Sequence, residues 1–332
     1  MLLRSESNYL RSGIKWLILC LFVTGPKCAW AEEIDALLEQ ASLETLYTPT
    51  GEWQIELSAG YGEWDNPLNH ESPQPLYLLP KVRYYSERFY LENFRLGYAL
   101  FESKNTSLDL VSDLNVDGVY FNQSYLISSF VGKNSPNRFS ETIESSLVSS
   151  KDYRFQNIRT RHYSYMAGLR WSFADKMRFG AKLLKDITNV HRGYEAQLMA
   201  GKDWHFDSVA FGVNVMLELK SARLVDYYYG LEFEETAQVL TEQEKAKIND
   251  FYQTVEFDYE VVPDLIYRPE HVYQGHSSLN HIVEAFMSWP FSDAVSLVAE
   301  VQYQRLGSGI AGSPLIESPE LFNYFIGLNW SW

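Results

Sequence analysis

The sequence predicts an all-β protein: a closed antiparallel barrel that spans a membrane, with twelve strands or, as the alternative, ten. Three observations lead there. Segment after segment alternates apolar with polar or small residues at the two-residue period of a strand. No apolar stretch after residue 31 approaches the roughly 18 residues that a spanning helix needs. The final segment, 322–332, is such a strand and ends on an aromatic ring at the C-terminal carboxylate. A membrane crossed without helices must be crossed by a closed sheet, because hydrocarbon offers nothing to an unpaired backbone group.

Residues 1–31 read as a cleaved secretory signal peptide. Arg4, Arg11 and Lys15 precede the apolar run from Trp16 to Val23, and Ala29-Trp30-Ala31 offers small residues for cleavage before Glu32. Both cysteines, Cys20 and Cys28, fall inside it, which excludes disulfide and thiolate chemistry from the mature chain. Loss of the four basic residues Arg4, Arg11, Lys15 and Lys27, and of Glu6, leaves 24 Lys+Arg against 42 Asp+Glu. An acidic chain of this kind repels nucleic acid, so none is expected as a partner. Aromatic residues make up 15% of the sequence, with 23 tyrosines, which suits the two interfacial girdles of a barrel.

Residues 32–52 are expected to form a periplasmic N-terminal segment, in which 33–46 places Ile34, Leu37, Leu38 and Ala41 on one helical face. The barrel is expected over 53–332. Its first strand alternates Trp53, Ile55, Leu57, Ala59 and Tyr61 with Gln54, Glu56, Ser58, Gly60 and Gly62. Leu76, Leu78, Pro80, Val82 and Tyr84 form the next row; Pro80 is a misfit that removes one ladder hydrogen bond. Residues 88–101 read as one strand with a bulge near Glu92-Asn93. Tyr163 to Phe173, Met177 to Leu183, Tyr194 to Ala200, Val209 to Leu219, Leu279 to Phe291 and Val295 to Tyr303 supply six more, and the terminal strand is the tenth. A further pair from Leu108-Asp109-Leu110 and the run Val119 to Val131 raises ten to twelve. Trp171, Phe211, Leu217, Trp289 and Val301 are predicted to face lipid. Residues 236–250 read as a short polar helix.

The connections alternate in length. Those at Ser86-Glu87, Ala174-Asp175, His205 and Ser292 are very short, whereas 62–75, 102–160, 187–192, 220–275 and 307–320 are mostly longer. Short periplasmic turns and long extracellular loops are the pattern of outer-membrane barrels. Both termini then lie in the periplasm of a Gram-negative cell, with membrane lipid and lipopolysaccharide around the barrel.

Glu56, Lys81, Arg83, Arg95, Arg170, Lys176, Arg178, Lys182, Glu195, Glu218, Glu284 and Glu300 fall on the inward rows, bases on the middle strands and acids on the later ones. Two readings follow. Either these charges pair and neutralise one another inside a small barrel, or a cationic wall faces an anionic one across a narrow channel, with Glu284 and Glu300 setting ion preference. So few strands leave no room for a wide general porin. A hydrolase would need a serine and a histidine in hydrogen-bond reach. His162 and Ser164 share a strand face but stand about 6.6 Å apart at two-residue spacing, and no G-x-S-x-G occurs. Histidines are scattered, without the spacing of a metal site, and no cofactor is expected.

The order of several segments carries a resemblance. Ala59-Gly60-Tyr61, the stretch His70 to Leu100 with Gly97-Tyr98, Tyr227-Tyr228-Tyr229-Gly230-Leu231, and Gly312-Ser313-Pro314-Leu315-Ile316 together resemble the MltA-interacting protein/OmpV family of outer-membrane proteins. The chain departs from that pattern by acidic and serine-rich insertions at 102–160 and 232–270 and by Gly312 where the family often has Asp. The resemblance implies a non-enzymatic outer-membrane barrel that docks cell-wall machinery: a periplasmic lytic transglycosylase and, in some members, a peptidoglycan synthase. It brings no catalytic residues. It also implies that the aromatic end, Trp330 and Trp332, is the signal read by the barrel-insertion machinery.

Overall fold

In the computed structural model, residues 51–68, 73–121, 158–239 and 265–332 are described, with 243, 245–247 and 250. The expected leader, 1–31, and the candidate helix at 33–46 lie outside them. Fourteen strands follow in chain order: β1 (Trp53–Trp64), β2 (Gln74–Tyr85), β3 (Phe89–Glu92), β4 (Arg95–Glu102), β5 (Thr106–Leu114), β6 (Tyr165–Ala174), β7 (Arg178–Asp186), β8 (Tyr194–Phe206), β9 (Val209–Lys220), β10 (Ala237–Val239), β11 (Leu265–Tyr267), β12 (Ser278–Ser292), β13 (Val295–Arg305) and β14 (Glu320–Ser331). Among the elements described whole, three short α-helices, α1 (Asp117–Phe121), α2 (Ala222–Tyr229) and α3 (Ser308–Ala311), and two 3-10 turns, Phe233–Thr236 and Pro269–His271, join them.

Twelve strands close an antiparallel barrel in which each packs beside its neighbours in sequence, while β10 and β11 form a separate two-stranded sheet. Closure comes from β1 against β14, in a register that runs from Glu56↔Ser331 to Glu63↔Tyr324. At this seam Gly60 lies opposite Gly327, and a Cβ on Gly60 would meet the Ile326 carbonyl oxygen at 2.0 Å. The two backbones approach too closely for a side chain there.

The count of twelve is reached by a different route from the sequence reading. Residues 88–101 are two strands: β3 turns back on β4 through Asn93-Phe94, pairing Glu92 with Arg95. The parity slip read as a bulge is this turn, for which Asn93 adopts φ 54°, a left-handed conformation that asparagine tolerates. Thr106–Leu114 supplies the twelfth strand. Val119, expected to open another, sits in α1, and 122–131 lie outside the described residues.

Pro80 disrupts no pairing: the neighbouring even residue Val82 directs its N–H and C=O to Asn93, so Pro80 presents the same edge, where no described strand lies. Leu76 leaves the outward row and is buried against Phe325 and Trp64, across from the register shift between Ala59 and Gly62. Strand β6 starts at Tyr165, not Tyr163, because 158–164 runs into the loops. The helix read at 236–250 begins instead as β10, with helical residues at 243, 245–247 and 250.

The barrel exterior is apolar. Trp171, Leu217 and Trp289 are exposed, with Ile55, Leu183, Leu198, Val215 and Ile326; Phe211 and Val301 are half-buried among them. Near the short turns stand Trp53 with Tyr84, Trp204 and Phe206 with Phe211, and Trp289 with Phe291. Near the opposite rim stand Tyr61, Tyr77, Phe322 and Tyr324. Two aromatic bands around an apolar belt match two membrane interfaces.

Candidate functional site

The lumen is built from the inward rows, and most of its charges are paired, Glu284 being held by neutral amides instead. Glu56 meets Arg83, and Lys81 reaches Glu300 at 3.2 Å. Arg178 donates to Asp203 at 2.7 Å and to Asn214 at 3.0 Å. Asn214 donates to Glu284, which accepts also from Gln302, and Asn323 donates in turn to Gln302. One polar belt thus runs along the inner wall from β7 to β14. A second lies nearer the loops: Arg95 to Asp113 at 2.8 Å, Lys182 to Asp113 at 3.6 Å and to Glu195 at 3.9 Å, then Gln197 bridging Glu195 and Glu218, and Asn280 donating to Glu218. Arg170 holds Asp109 at 3.0 Å and the Tyr90 hydroxyl at 2.8 Å. Lys176 alone of the inward candidates leaves the lumen: it is exposed in the turn 175–177.

Charge segregation into a basic and an acidic wall does not occur. Asp109, Asp113, Asp203 and Glu92 stand among the bases of the middle strands and pair with them. The alternation of Asp109 and Asp113 with Leu110 and Leu114 carried this signal. Tyr90 crosses the inner face of β4 because Gly97 leaves room; a Cβ there would meet the Tyr90 ring at 1.8 Å. Gly97→Val is expected to cost about 1–3 kcal/mol by overpacking, read from the urea unfolding midpoint in lipid vesicles.

Above the second belt the loops fold inward as a cap. Leu224, Val225, Tyr228 and Tyr229 of α2, Tyr120 of α1, Ile310 of α3, Leu68, Leu231 and Leu315 are buried together with Val111, Met166, Leu184 and Leu321 of the wall. Strands β6 and β14 lie on opposite sides of the barrel, so this core crosses its mouth. Asp117 ties it down: both carboxylate oxygens accept from Lys220 at 2.7 Å, and Oδ1 accepts also from the Tyr229 hydroxyl at 2.6 Å. Burial and this carboxylate hold the Tyr229 hydroxyl protonated, well above its ordinary range. Arg161, wholly buried, donates to the carbonyls of Tyr228 and Gly230 at the end of α2 and pairs with Glu235 at 2.9 Å. It satisfies carbonyls that the helix leaves unpaired and places a cation at the negative end of its dipole.

The cap also brings a serine, a histidine and an aspartate together, though not His162 and Ser164. Ser164 Oγ lies 2.9 Å from His191 Nε2, and Asp186 lies 4.0 Å from His191 Nδ1. The wiring opposes catalysis. His191 Nδ1 accepts from the Gly193 N–H, so the ring proton is on Nε2 and points at the serine. A general base needs the reverse tautomer. Both Asp186 oxygens are engaged by Thr188, His191 and Arg192 backbone N–H groups, closing the loop 187–193. Burial depresses His191 below the usual histidine range. Its neutral form is therefore favoured by folding, a contribution fully present above about pH 6.5 and lost as pH falls toward the folded value. Amide protection in 187–193, corrected for the intrinsic exchange rate at each pH, should fall below that pH, and His191→Gln should abolish the dependence.

Exposure falls along the lumen. Lys81 and Glu300 side chains are 41% and 49% exposed, whereas Asp117 and Lys220 beneath the cap are 1% and 6%. The interior is thus open toward the short turns and filled toward the loops. Trp330 lies opposite Leu57 and Val295, and Trp332 exchanges backbone hydrogen bonds with Ile55, so both sit on the closing strand pair.

Residues 55–332 match the family model described as MltA-interacting protein MipA. No curated protein matches the chain. Solved structures that match include OprD of Pseudomonas aeruginosa, 8% identical over 86% of this chain and 68% of that chain, TM-score 0.30. The toluene transporter TbuX of Ralstonia pickettii is 10% identical over 85% of this chain and 90% of that chain, TM-score 0.29. OmpT of Vibrio cholerae is 8% identical over 86% of this chain and 99% of that chain, TM-score 0.26. At such scores these likenesses carry no argument about a solute.

Proposed function

From the premise that this chain belongs to the MltA-interacting protein MipA family, matched over residues 55–332, we propose that it is an outer-membrane barrel that docks periplasmic cell-wall enzymes. The partners are a lytic transglycosylase and a peptidoglycan synthase held beside it. The observation that carries this reading is the filled mouth. A barrel whose lumen ends under a packed cap, with most of its charges mutually paired, is suited to presenting a rigid surface rather than to conducting. In this reading the short turns and both termini face the periplasm. Glu87, Arg88, Asp175, Lys176, Asp207 and Asp293 project there, all exposed and of both signs.

The test pairs two measurements on the full-length protein. In planar bilayers, steady conductance should stay at the lipid baseline. Immobilised protein should retain a soluble lytic transglycosylase, and charge reversal at Arg88, Asp175 and Lys176 should weaken that retention at least tenfold. A steady conductance whose reversal potential moves when Glu284 and Glu300 become Lys would favour the narrow-channel reading instead. Failure to retain the transglycosylase would remove the docking reading.

A further inference from the structure

Among the described residues the barrel wall has an opening at its side. Strand β2 runs twelve residues and pairs along its length with β1, but meets β3 only through Arg83, Tyr84 and Tyr85. The hairpin of β3 and β4 stops at Asn93-Phe94, level with Val82. Beyond it, β5 pairs with β6 through Asp113 and Leu114, while its pairing with β4 ends at Ser112. Among the described residues no strand fills the notch between the upper part of β2 and the end of β5. Asn93 finishes the ladder on one side: its N–H donates to Val82, and its side-chain carbonyl accepts from the Val82 N–H. Pro80 then presents to the notch an edge position that needs no partner for an N–H. The Tyr165 hydroxyl donates to the Phe94 carbonyl and braces the hairpin tip.

A cavity of about 430 Å³ occupies the notch, a volume within the range of about 300–1,000 Å³ usual for small-molecule sites. Its lining has two characters. Phe94, Leu114, Val116 and Val119 are apolar, and the exposed Leu78 and Leu96 stand on the adjoining strands. Lys81, Arg83, Glu92, Arg95 and Asp113 form the polar side. Neither sign prevails there, because Arg95 pairs with Asp113 and Glu92, Arg83 with Glu56, and Lys81 with Glu300.

We propose that this lateral opening binds a membrane amphiphile, with an acyl chain against the apolar rim and a zwitterionic head turned to the ion pairs inside. The location selects a ligand arriving from the bilayer, since the exposed Leu78 and Leu96 on the adjoining strands face it and the cap fills the loop-side mouth. The polar lining selects the head. A zwitterion exchanges each paired contact for another of the same kind, whereas a simple anion would leave Glu92 and Asp113 facing like charge. The site rests on the barrel's position in a membrane and not on the docking reading.

Residues 32–332 contain no cysteine, so single-cysteine labelling of the barrel is clean. A bimane fluorophore at Val119→Cys, inside the opening, is compared with one at Gln197→Cys, inside the closed wall of β7, β8 and β9. In vesicles containing phosphatidylcholine with a doxyl group on the acyl chain, quenching at 119 should exceed that at 197 at least threefold. Equal quenching would overturn the proposal. Replacing the labelled lipid with doxyl phosphatidylglycerol should lower the effect; an undiminished or larger one would overturn the zwitterionic assignment. The unsubstituted protein provides a measurement that needs no variant to fold. Native mass spectrometry should find one retained phosphatidylcholine, displaced in Leu114→Trp, and absence of any retained lipid would also overturn the site.

Discussion

Asp117→Ala should destabilise the protein by about 3–5 kcal/mol, the usual cost of stranding one member of a buried ion pair. Lys220, 6% exposed, would keep only Glu218, 3.4 Å away, and the Tyr229 hydroxyl would lose its acceptor. The strands have their own ladders, so the loss should appear first in the cap. Amide exchange in Ala222–Tyr229 should rise by orders of magnitude, and a protease added from the loop side should cut there, while β6 to β9 stay protected. Asp117→Asn, which still accepts hydrogen bonds, should fall between. Unchanged protection in Asp117→Ala would mean that apolar packing alone holds the mouth closed.

A chain lacking residues 322–332 should fail to accumulate in the outer membrane, with folded protein reduced to a few per cent or less. The reason lies in the pairing of β1 with β14: without the last strand, both β1 and β13 present open edges to hydrocarbon, at several kcal/mol per unsatisfied group. Trp332→Ala should be milder, because its backbone hydrogen bonds with Ile55 persist. Any larger loss for that single change would point to recognition of the aromatic end by the insertion machinery. Equal membrane yields for the full chain and the truncated one would contradict the closure seen here.

The rows that face lipid were legible because hydrocarbon favours apolar side chains, and His281 interrupts its row only near the loop end of β12. Val209, Phe211, Val213, Val215, Leu217 and Leu219 hold one parity without exception. The lumen side imposes no such rule, and the charge segregation expected there did not hold, while Leu76 shows that an outward parity can also end in a buried side chain. A four-residue strand such as Phe89–Glu92 is too short to show a period, and Asn93 suits a bulge or a turn equally. The cap was out of reach for another reason. Asp117 and Lys220 are 103 residues apart, and Arg161 and Glu235 are 74 apart. No local spacing announces such pairs; they become partners only once the barrel has set where its loops begin. Ser164 likewise pairs with His191, 27 residues on, and not with the nearby His162.

The seam between β1 and β14 also dictates an order of events. Ser58 and Asn329, joined there by a hydrogen bond, are separated by 271 residues. Other neighbouring strands can pair as the chain emerges, but the edge of β1 that will meet β14 has to wait for the final residues to be made and exported. Throughout that wait it is an unpaired edge of alternating apolar residues, the kind of surface on which chains join one another wrongly. A holding chaperone therefore has one stretch above all to shield, Trp53–Trp64. Sequence changes that slow arrival of the C-terminus should be felt as aggregation seeded at the opposite end of the chain.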